Sequence, residues 1–481
     1  MKEIKVVIGK NFGDEGKGQT VSDLCRGASA LVVRHNGGAQ SGHTVEEGEF
    51  RFVFHQIGSG SLWGAPTYWS HTFLPDLLKL GEETREFERA AEAVERKAVK
   101  SMSAEGQGKG DSPLIIYAHP ECACTIVYDV LLNSLVEILR GEKKHGSCGM
   151  GIYEAVLRSR REEYRLCLTE FAPSAENPIS LGERTKRIVD KLKYIRQEYV
   201  AKRLEKLLEE FSVPSGLTCG DGLSRDSKHL TDRARQTQHE REREIQDWIG
   251  LIWDDNVLYN TAEEMCENFD RYVRLADIKE LWQQYDRIVF ENGQGLLLDE
   301  DNQEYYPHLT PSHTGLHNIV AMLRELSMEQ PQEILEGLTQ NQQGVLMDRR
   351  HTEALPMEII YVTRTYVTRH GAGRLDCECD KEDICPAMED KTNVPNLWQD
   401  SLRYAKHSSV EGFFRPISQD LRLLQENGIG DRFAVGVAIR LTHLDETDGK
   451  ILFADGEKTV QELRALIPNF LDGSLALRIL Q

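Results

Sequence analysis

Short runs of β-branched and aliphatic residues recur along the chain, and glycine-rich loops follow several of them. The runs lie at 4–8, 31–33, 114–117, 287–290, 358–362 and 433–439. Several of them lack polar alternation, which is typical of strands covered on both faces. Helical segments separate the runs, including an amphipathic stretch at 181–211 and another segment at 120–140. This alternation predicts an α/β protein with a large, mainly parallel central sheet flanked by helices.

Composition supports a large folded unit. The chain has 481 residues, of which 40% are hydrophobic and 28% are charged, so it can bury a sizeable core. We predict one large α/β domain over 1–481, with a helical, charge-rich insertion at about 181–250. Inside it, segment 224–246 mixes acids and bases. We interpret this segment as a solvated helix or loop, with a lid that closes over a phosphate as the alternative.

The charge balance limits the expected partners. The chain has 58 Lys and Arg against 78 Asp and Glu, a net charge of −20. A general nucleic-acid binder needs excess cations, so we expect no nucleic-acid partner. No long apolar run and no secretory h-region is present, so we expect no membrane span and a cytoplasmic protein. Reduced thiols are expected at Cys377, Cys379 and Cys385, with a metal site as the alternative.

The first run leads into the loop KNFGDEGKG and then into a helix-like stretch. A strand, a glycine-rich turn and a helix start form a cradle in which backbone N–H groups and the helix dipole face an anion. Lys17 adds a cation, but Gln19 stands where a Walker A loop has Ser or Thr. Because Asp14 would repel a phosphate, we interpret it as a Mg²⁺ ligand or a base. An ordinary surface turn is the alternative.

Three more runs place polar side chains after a predicted strand. In RHNGGAQSGHTV, His43 is a candidate acid. In ENGQG, Gln294 can offer its amide to a carbonyl or an anion, and Thr310 and Ser312 further along can bind a phosphate. In LTHLD, Asp445 can accept two parallel N–H donors from a guanine. Each feature alone also fits a structural histidine, a polar turn or the end of a strand.

Together these blocks resemble the adenylosuccinate synthetase family. The family pattern QWGDEGKGK corresponds to NFGDEGKGQ, GGNNAGHTV to GGAQSGHTV, xAYTTRVGxGP to RTYVTRHGAGR at 364–374, and LTKLD to LTHLD at 441–445. The resemblance implies a P-loop-NTPase-like α/β fold and a homodimer. It also implies a GTP- and Mg²⁺-dependent ligase that phosphorylates the 6-oxygen of IMP. The amino group of aspartate then displaces that phosphate to form adenylosuccinate.

The resemblance implies a role for each matching residue. Asp14 would be the base, His43 the acid, and Gln294 the side chain that orients the purine 6-oxygen. Asp14 and the carbonyl of Gly42 would hold Mg²⁺. The residues that would hold GTP are Gly13, Glu15, Gly16, Lys17, Gly18, Thr44 and Asp445. The residues that would bind the purine nucleotide and the remaining substrate groups are Thr310, Arg369, Arg374, Cys148 and Arg158.

The chain departs from the family pattern in several blocks. The family's TTGRxRRxGW loop, whose arginines clamp aspartate, corresponds to DKTNVPNLWQDSLRYA at 390–405, which has no arginine before Trp398. Cys148 replaces a nucleotide-contacting Thr, and His443 replaces Lys in the guanine motif. Arg158 and Arg160 both fit the arginine that would reach the partner subunit.

These departures leave two alternatives beside the synthesis of adenylosuccinate itself. One is a relative with a changed purine, for example a guanine nucleotide, or a changed amino donor. If aspartate is kept as the donor, arginines of the 364–374 run, which are Arg364, Arg369 and Arg374, would have to replace the missing clamp. The other alternative is a nucleotide-binding sensor that has lost ligase activity.

Overall fold

A computed structural model describes most of the chain. The described residues are 2–101, 114–141, 148–173, 179–211, 232–328, 354–386, 388, 402–429, 433–471 and 476–480. The strands among them are β1 (Glu3–Gly9), β2 (Ala30–Arg34), β3 (His43–Glu47), β4 (Phe50–Phe54), β5 (Thr67–Trp69), β6 (Ile116–Ala118), β7 (Val273–Leu275), β8 (Arg287–Gly295), β9 (Leu355–Arg364), β10 (Val367–Arg369), β11 (Glu378–Cys379), β12 (Arg403–Ala405), β13 (Phe433–Thr442), β14 (Lys450–Phe453), β15 (Gly456–Thr459) and β16 (Ala476–Leu480).

Helices flank these strands. The α-helices in the same ranges are α1 (Lys17–Cys25), α2 (Leu77–Ser101), α3 (Val127–Arg140), α4 (Ile152–Ser159), α5 (Leu181–Ile195), α6 (Ala201–Glu210), α7 (Asp232–Trp253), α8 (Asp255–Tyr272), α9 (Ile278–Trp282), α10 (His317–Met328), α11 (Val410–Glu426) and α12 (Val460–Leu466). None of the helices in the described part of the chain is both long and apolar enough to cross a lipid bilayer.

A nine-stranded sheet forms the centre of the molecule, in the spatial order β16-β13-β9-β1-β8-β2-β5-β6-β7. Every neighbouring pair in it runs parallel. Each of the six predicted runs lies in or overlaps one of these strands. The predicted large parallel sheet is therefore confirmed.

Both faces of the sheet are covered, which explains why its strands lack polar alternation. In β1, Ile4, Val6 and Ile8 pack on the side that also holds apolar residues of α10 and α11. Val7 points the other way and packs with Val21 of α1. Alternate residues of one strand thus enter two separate cores, and each position favours an apolar residue.

The carboxyl ends of the central strands meet at one edge of the sheet. Gly9 of β1 pairs with Gly295 of β8, and Arg34 of β2 pairs with Glu291 of β8. On the other side, Arg364 of β9 pairs with Thr442 of β13. The loops that follow these strands therefore leave the sheet together, and open parallel sheets bind ligands at this edge.

The helical segments follow the predicted pattern with one shift. Residues 181–210 form α5, a π-helical turn at Arg196–Val200, and α6. The segment predicted at 120–140 becomes helical only at Val127, because Cys124 N–H instead bonds to Leu166 O at 2.9 Å and the Cys122 carbonyl accepts from Leu168. In the charged segment 224–246, α7 covers the residues from 232 onward, and 224–231 lie outside the described residues.

Candidate functional site

The loop after β1 folds around a buried carboxylate. Glu15 Oε1 accepts N–H bonds from Asn11 at 2.8 Å and Gly13 at 3.1 Å. Lys17 Nζ lies 3.4 Å from Glu15 Oε2, and both side chains are buried. Gly16, with φ of 91°, caps the start of α1, so the loop turns directly into a helix N-terminus. The predicted strand, glycine-rich turn and helix start are present, and two N–H groups of the turn hold the carboxylate of Glu15.

Asp14 is held in an unusual backbone conformation. Its φ is 59°, in the left-handed region that is uncommon for a residue other than glycine. Arg364 Nε donates to the carbonyl of Asp14 at 2.6 Å. His370 Nε2 lies 3.3 Å from Asp14 Oδ2, and a quarter of the Asp14 side chain is exposed. Arg364 therefore holds the backbone of Asp14, His370 contacts its carboxylate, and the carboxylate is still partly exposed.

The donor set here suits a hard cation. Mg²⁺ prefers oxygen ligands, and the Asp14 carboxylate and the exposed Gly42 backbone offer such atoms. The chemistry of these residues fits the Mg²⁺ site that the resemblance implies.

His43 is the first residue of β3 and is buried against a carboxylate. Its Nδ1 lies 2.5 Å from Glu291 Oε1 of β8. Since a carboxylate only accepts, Nδ1 carries the proton of this contact. Burial lowers the pKa of His43 to about 4, with the nearby Arg34 charge acting in the same direction. In this state the imidazole is neutral at pH 7.

Glu291 is the centre of a buried polar group that the sequence did not reveal. Burial alone would raise its pKa, but the charges of Arg34 and His43 together with the Ser59 hydroxyl lower it to about 2. Arg34 Nη1 lies 3.7 Å from Oε1, and Ser59 N–H donates to Oε2 at 3.0 Å. The carboxylate is thus charged and fixes the ring of His43. A signal was available, because a carboxylate directly follows the apolar run at 287–290.

Two hydrogen bonds fix the amide of Gln294. Gly293 N–H donates to Asn36 Oδ1 at 2.8 Å, which turns the Asn36 amide so that its Nδ2 faces outward as a donor. Asn36 Nδ2 then donates to Gln294 Oε1 at 3.1 Å. Gln294 Nε2 is left buried without a hydrogen-bond partner among the described residues. The side chain predicted to face the 6-oxygen therefore presents a donor.

Thr44 and Gly18 join the second loop to the first. A Cβ at Gly18 would lie 2.9 Å from the carbonyl oxygen of Thr44 and 2.9 Å from Cβ of His43. Only glycine allows this approach of α1 to β3. It brings His43 next to the N-terminus of α1.

The guanine motif is tied to the same loop. Thr442 Oγ1 donates to the carbonyl of Glu15 at 2.9 Å. His443 follows with φ of 57°, and Asp445, which is exposed, begins a short 3₁₀ turn at Asp445–Thr447. The turn therefore lies beside the loop after β1, with the Asp445 carboxylate accessible to a ligand.

The loop after β8 holds other predicted residues. Thr310 is half-buried, and its N–H donates to Leu298 O at 2.9 Å. Ser312 Oγ is buried without a hydrogen-bond partner in the described ranges. Arg369 lies over the rings of Phe12 and Tyr305 at 4.4 and 5.5 Å. These contacts bring Arg369 next to the loop after β1.

The predicted substrate arginines differ in how far their donors are used. Arg369 is buried and donates to the carbonyls of Arg374 at 2.6 Å and His308 at 2.7 Å. Burial lowers the pKa of Arg369 to about 10, and the Arg403 charge adds to this effect. Arg374 is exposed over 58% of its side chain and binds Asp376 at 2.7 Å.

Arg158 lies in the core rather than on a surface. It is completely buried, and its donors reach both oxygens of Asp129 and the carbonyls of Tyr164 and Cys124. No atom of it is available to a partner subunit in this arrangement. Arg160, the other candidate, has 62% of its side chain exposed and bonds Glu300 at 3.3 Å. Cys148 is half-buried, shortly before α4.

The cysteine cluster shows no metal geometry. Cys377, Cys379 and Cys385 are free. In the described part of the chain, the group that brings three potential ligand atoms within 4.8 Å of one another consists of Asp299, Asp301 and His313. An ion-pair network of this kind is common without a metal.

Comparison with known proteins decides the family. The family model described as adenylosuccinate synthetase matches residues 6–336. The chain belongs to the adenylosuccinate synthetase family. The adenylosuccinate synthetase of Mycobacterium leprae is 27% identical over 311 residues, which are 64% of this chain and 55% of that protein. That of Picrophilus torridus is 37% identical over 91 residues, 19% of this chain and 22% of that protein.

A solved structure supports the fold. The fully ligated adenylosuccinate synthetase from Plasmodium falciparum matches with a TM-score of 0.50 and 15% identity, covering 92% of this chain and 77% of that one. At this identity the likeness concerns the fold alone. The chain spans about half the length of the first curated relatives that it matches, 55% in the case of the M. leprae protein.

Two departures from the family pattern concern this site. Where the adenylosuccinate synthetase pattern has Val, this chain has His370, which contacts Asp14. Of the segment 390–405, which corresponds to the aspartate clamp, residues 390–401 lie outside the described residues. Arg403, near its end, binds Glu378 Oε1 at 2.7 Å and the carbonyls of Gly371 and Gly373.

Proposed function

We propose that this protein is a GTP- and Mg²⁺-dependent ligase that phosphorylates the 6-oxygen of a purine nucleotide, IMP in the first instance, and replaces that phosphate with an amine. The single observation that carries the proposal is the oriented Gln294 amide. Its Nε2 is buried without a partner in the described residues, next to Gly37 in the loop after β2. A buried donor of this kind calls for an acceptor on a ligand.

The residues of the site suit this chemistry. An oxo group leaves poorly, and conversion to a phosphate ester makes it a leaving group. Asp14 accepts the proton that the base of the nucleotide gives up, so that the 6-oxygen can attack the γ-phosphoryl group of GTP. The Gln294 Nε2 donor stabilises the charge on that oxygen. Asp14 and the Gly42 carbonyl would hold Mg²⁺, which when bound would supply positive charge to the phosphates.

His43 supplies the acid in this proposal. Its imidazole is neutral in the structure, with a pKa lowered to about 4 by burial. The negative charge of bound phosphates favours the protonated form, and Glu291 stabilises that cation at 2.5 Å. The loop after β1, with Gly13, Gly16, Lys17 and Gly18, holds phosphates, and Asp445 reads guanine. Thr310 contacts the 5′-phosphate of the acceptor nucleotide.

A relative with a changed donor is the second candidate, and a specific observation favours it. In the 364–374 run, Arg364 donates to Asp14 O and to Tyr366 Oη, and Arg369 donates to two carbonyls. Arg374 is paired with Asp376. A donor with two carboxylates needs bidentate cations that these arginines do not offer. We therefore propose, as the second candidate, a ligase whose amine donor is less acidic than aspartate.

The test is a product search. The protein is incubated with GTP, Mg²⁺, a panel of 6-oxopurine nucleotides and a panel of amino acids, and products are identified by mass spectrometry. The proposal expects a nucleotide in which the 6-oxygen is replaced by the amine nitrogen, together with GDP and phosphate. Binding of nucleotides without any such product would support the sensor alternative and contradict the ligase.

A further inference from the structure

Arg364 is a buried cation that bonds to the main chain of the loop after β1. It is the last residue of β9, and its side chain is buried. Its Nε donates to the carbonyl of Asp14 at 2.6 Å. The guanidinium therefore holds the backbone at the residue that carries the base in the proposed function.

The backbone of Asp14 needs such support. Its φ of 59° lies in the left-handed region, where the Cβ of a residue other than glycine crowds the following carbonyl oxygen. Conformations of this kind persist only where the surrounding structure holds them. His370 contacts the carboxylate, whereas Arg364 holds the main chain. Because the direction of the side chain depends on the backbone torsions, loss of the Arg364 bond would redirect the carboxylate.

A buried hydroxyl fixes the guanidinium. Arg364 Nη1 donates to Tyr366 Oη at 2.8 Å, and the side chain of Tyr366 is completely buried. Tyr366 Oη in turn donates to Glu446 Oε2. A phenol can accept one bond and donate one, so the hydroxyl joins the cation to the carboxylate with the correct polarity at both ends.

Glu446 has a fixed place because its turn is bonded to the residue after β9. It is the middle residue of the 3₁₀ turn Asp445–Thr447, which is called the guanine turn below. Thr365 Oγ1 donates to the carbonyl of His443 at 3.1 Å, and Thr447 Oγ1 donates to Thr365 Oγ1 at 3.0 Å. Neither bond involves the guanidinium or the phenol, so the turn holds its carboxylate independently of both.

We propose that Arg364, Tyr366 and Glu446 form a positioning network that fixes the backbone of Asp14 from the guanine turn. The three residues act through Asp14, so they are positioning residues and not catalytic residues. One chain of hydrogen bonds thereby joins the base to the turn that begins at Asp445. This inference rests on the proposed function, in which Asp14 is the base.

The test compares variants that differ by one hydrogen bond. Tyr366→Phe removes the hydroxyl and keeps the ring. Glu446→Ala removes the acceptor of that hydroxyl, and Glu446→Gln keeps an acceptor there. Tyr361→Phe is the matched control, because this hydroxyl of β9 is also buried and donates to Asp420 of α11 at 2.8 Å, outside the network. For each variant, kcat, the KM of GTP and the melting temperature are measured.

The network predicts a loss of kcat without a loss of nucleotide binding. Tyr366→Phe is expected to lower kcat by about tenfold and to change the KM of GTP by less than about twofold, since the base is redirected while the nucleotide contacts remain. Glu446→Ala should lower kcat similarly, and Glu446→Gln should recover most of that loss. Tyr361→Phe should lower the melting temperature by a similar amount and leave kcat within about twofold of the wild type. Equal losses of kcat in Tyr366→Phe and Tyr361→Phe, or a near-normal kcat in Tyr366→Phe, would overturn the inference.

Amide hydrogen exchange provides a second measurement that requires no reaction. The N–H groups of Asn11 and Gly13 bond to the Glu15 carboxylate, so their exchange reports how often the loop opens. In Tyr366→Phe, the amides of residues 11–16 are expected to exchange at least about threefold faster than in the wild type. In Tyr361→Phe they should exchange as in the wild type. Unchanged exchange in Tyr366→Phe would also overturn the inference.

The outcomes separate this inference from the proposed function. If the wild type forms a ligase product while kcat and exchange in Tyr366→Phe match those of the control, the function stands and the network is wrong. If the loop exchanges faster in Tyr366→Phe alone and the wild type forms no product, the network holds the loop as inferred and the ligase proposal is wrong.

Discussion

Two regions at the same edge of the sheet differ in how their polar groups are used. The phosphate region consists of the loops after β1, β2 and β8, and the donor region consists of residues 364–374 and Arg403. In the phosphate region, the amide nitrogens of Gln40 and Gln294 are buried without a hydrogen-bond partner among the described residues. In the donor region, Arg364 and Arg403 donate to atoms of the protein itself.

The difference indicates which part of the chemistry is retained. Groups left unpaired in the phosphate region can bind a ligand, and they lie in blocks that resemble the family pattern. Guanidinium groups already bonded to carbonyls or carboxylates have little capacity left for a second anion. The comparison therefore fits the proposal that phosphoryl transfer is retained and that recognition of the amine differs from the family pattern.

The largest expected effect in the phosphate region concerns Asp14. Asp14→Asn removes the base and weakens the cation site, so turnover is expected to fall by at least about 10²–10⁴-fold. Its folded state should persist, because Arg364 holds the backbone carbonyl rather than the carboxylate. Steady-state rates and circular dichroism check both points.

The matched control is Asp23→Asn. Asp23 lies on α1 and pairs with Arg440, outside the proposed chemistry. A near-normal rate in Asp14→Asn would remove Asp14 from the mechanism, and an equal loss in Asp23→Asn would show that the loss is structural.

Glu291→Gln should lower the free energy of unfolding as well as the rate of the reaction. The change leaves the buried Arg34 without its countercharge, and breaking such a pair costs about 3–5 kcal/mol. Chemical denaturation measures this loss. Glu46→Gln, which breaks the exposed pair with Arg51, is the control and should cost no more than about 1 kcal/mol.

The Glu291 carboxylate also determines the direction in which folding stability changes with pH. The pKa of Glu291 falls from 4.5 to about 2 on folding, because the charges of Arg34 and His43 outweigh its burial. The unfolded chain therefore binds more protons in this window. The stabilisation is complete above pH 4.5 and is lost as the pH falls toward 2. Glu291→Gln should flatten the acid limb of the stability curve, and an unchanged limb would contradict the assignment.

How much of the fold and of the site could be predicted depends on how far apart in the sequence the contacting residues lie. The strands, the loop after β1 and the positions of His43 and Gln294 follow from apolar runs and adjacent glycines. The Glu291–His43 pair joins residues 248 positions apart, and nothing local to either predicts the other. The burial of Arg158 likewise depends on Asp129, which is on another helix. Contacts of this kind depend on the order of the strands in the sheet, so they can be identified only in the folded structure.

A smaller effect is expected at the guanine motif, which borders both regions. Asp445→Ala should reduce the preference for GTP over ATP by about tenfold, since a paired charge-assisted contact is lost. Competition between the two nucleotides in the same assay measures it. Equal use of GTP and ATP by the wild type would exclude the role of Asp445, and His443→Lys tests whether the family residue strengthens the preference.

The smallest effect is expected in the donor region. Arg374 is 58% exposed and already bound to Asp376, so Arg374→Ala should change the KM of any amine donor by less than about threefold. A donor panel with wild type and variant decides this. A tenfold rise in the KM for aspartate alone would assign Arg374 to the binding of the donor. The donor region would then, like the phosphate region, contain a group that binds a ligand.

The transfer of a phosphoryl group to the 6-oxygen is the central claim, and an isotope experiment tests it most directly. A nucleotide labelled with ¹⁸O at C6 is incubated with the protein, GTP, Mg²⁺ and the amine panel, and the released phosphate is examined by ³¹P NMR. The account predicts one ¹⁸O atom in each phosphate formed with product. Unlabelled phosphate formed at the same rate as GDP would show that water accepts the phosphoryl group, and would contradict the account.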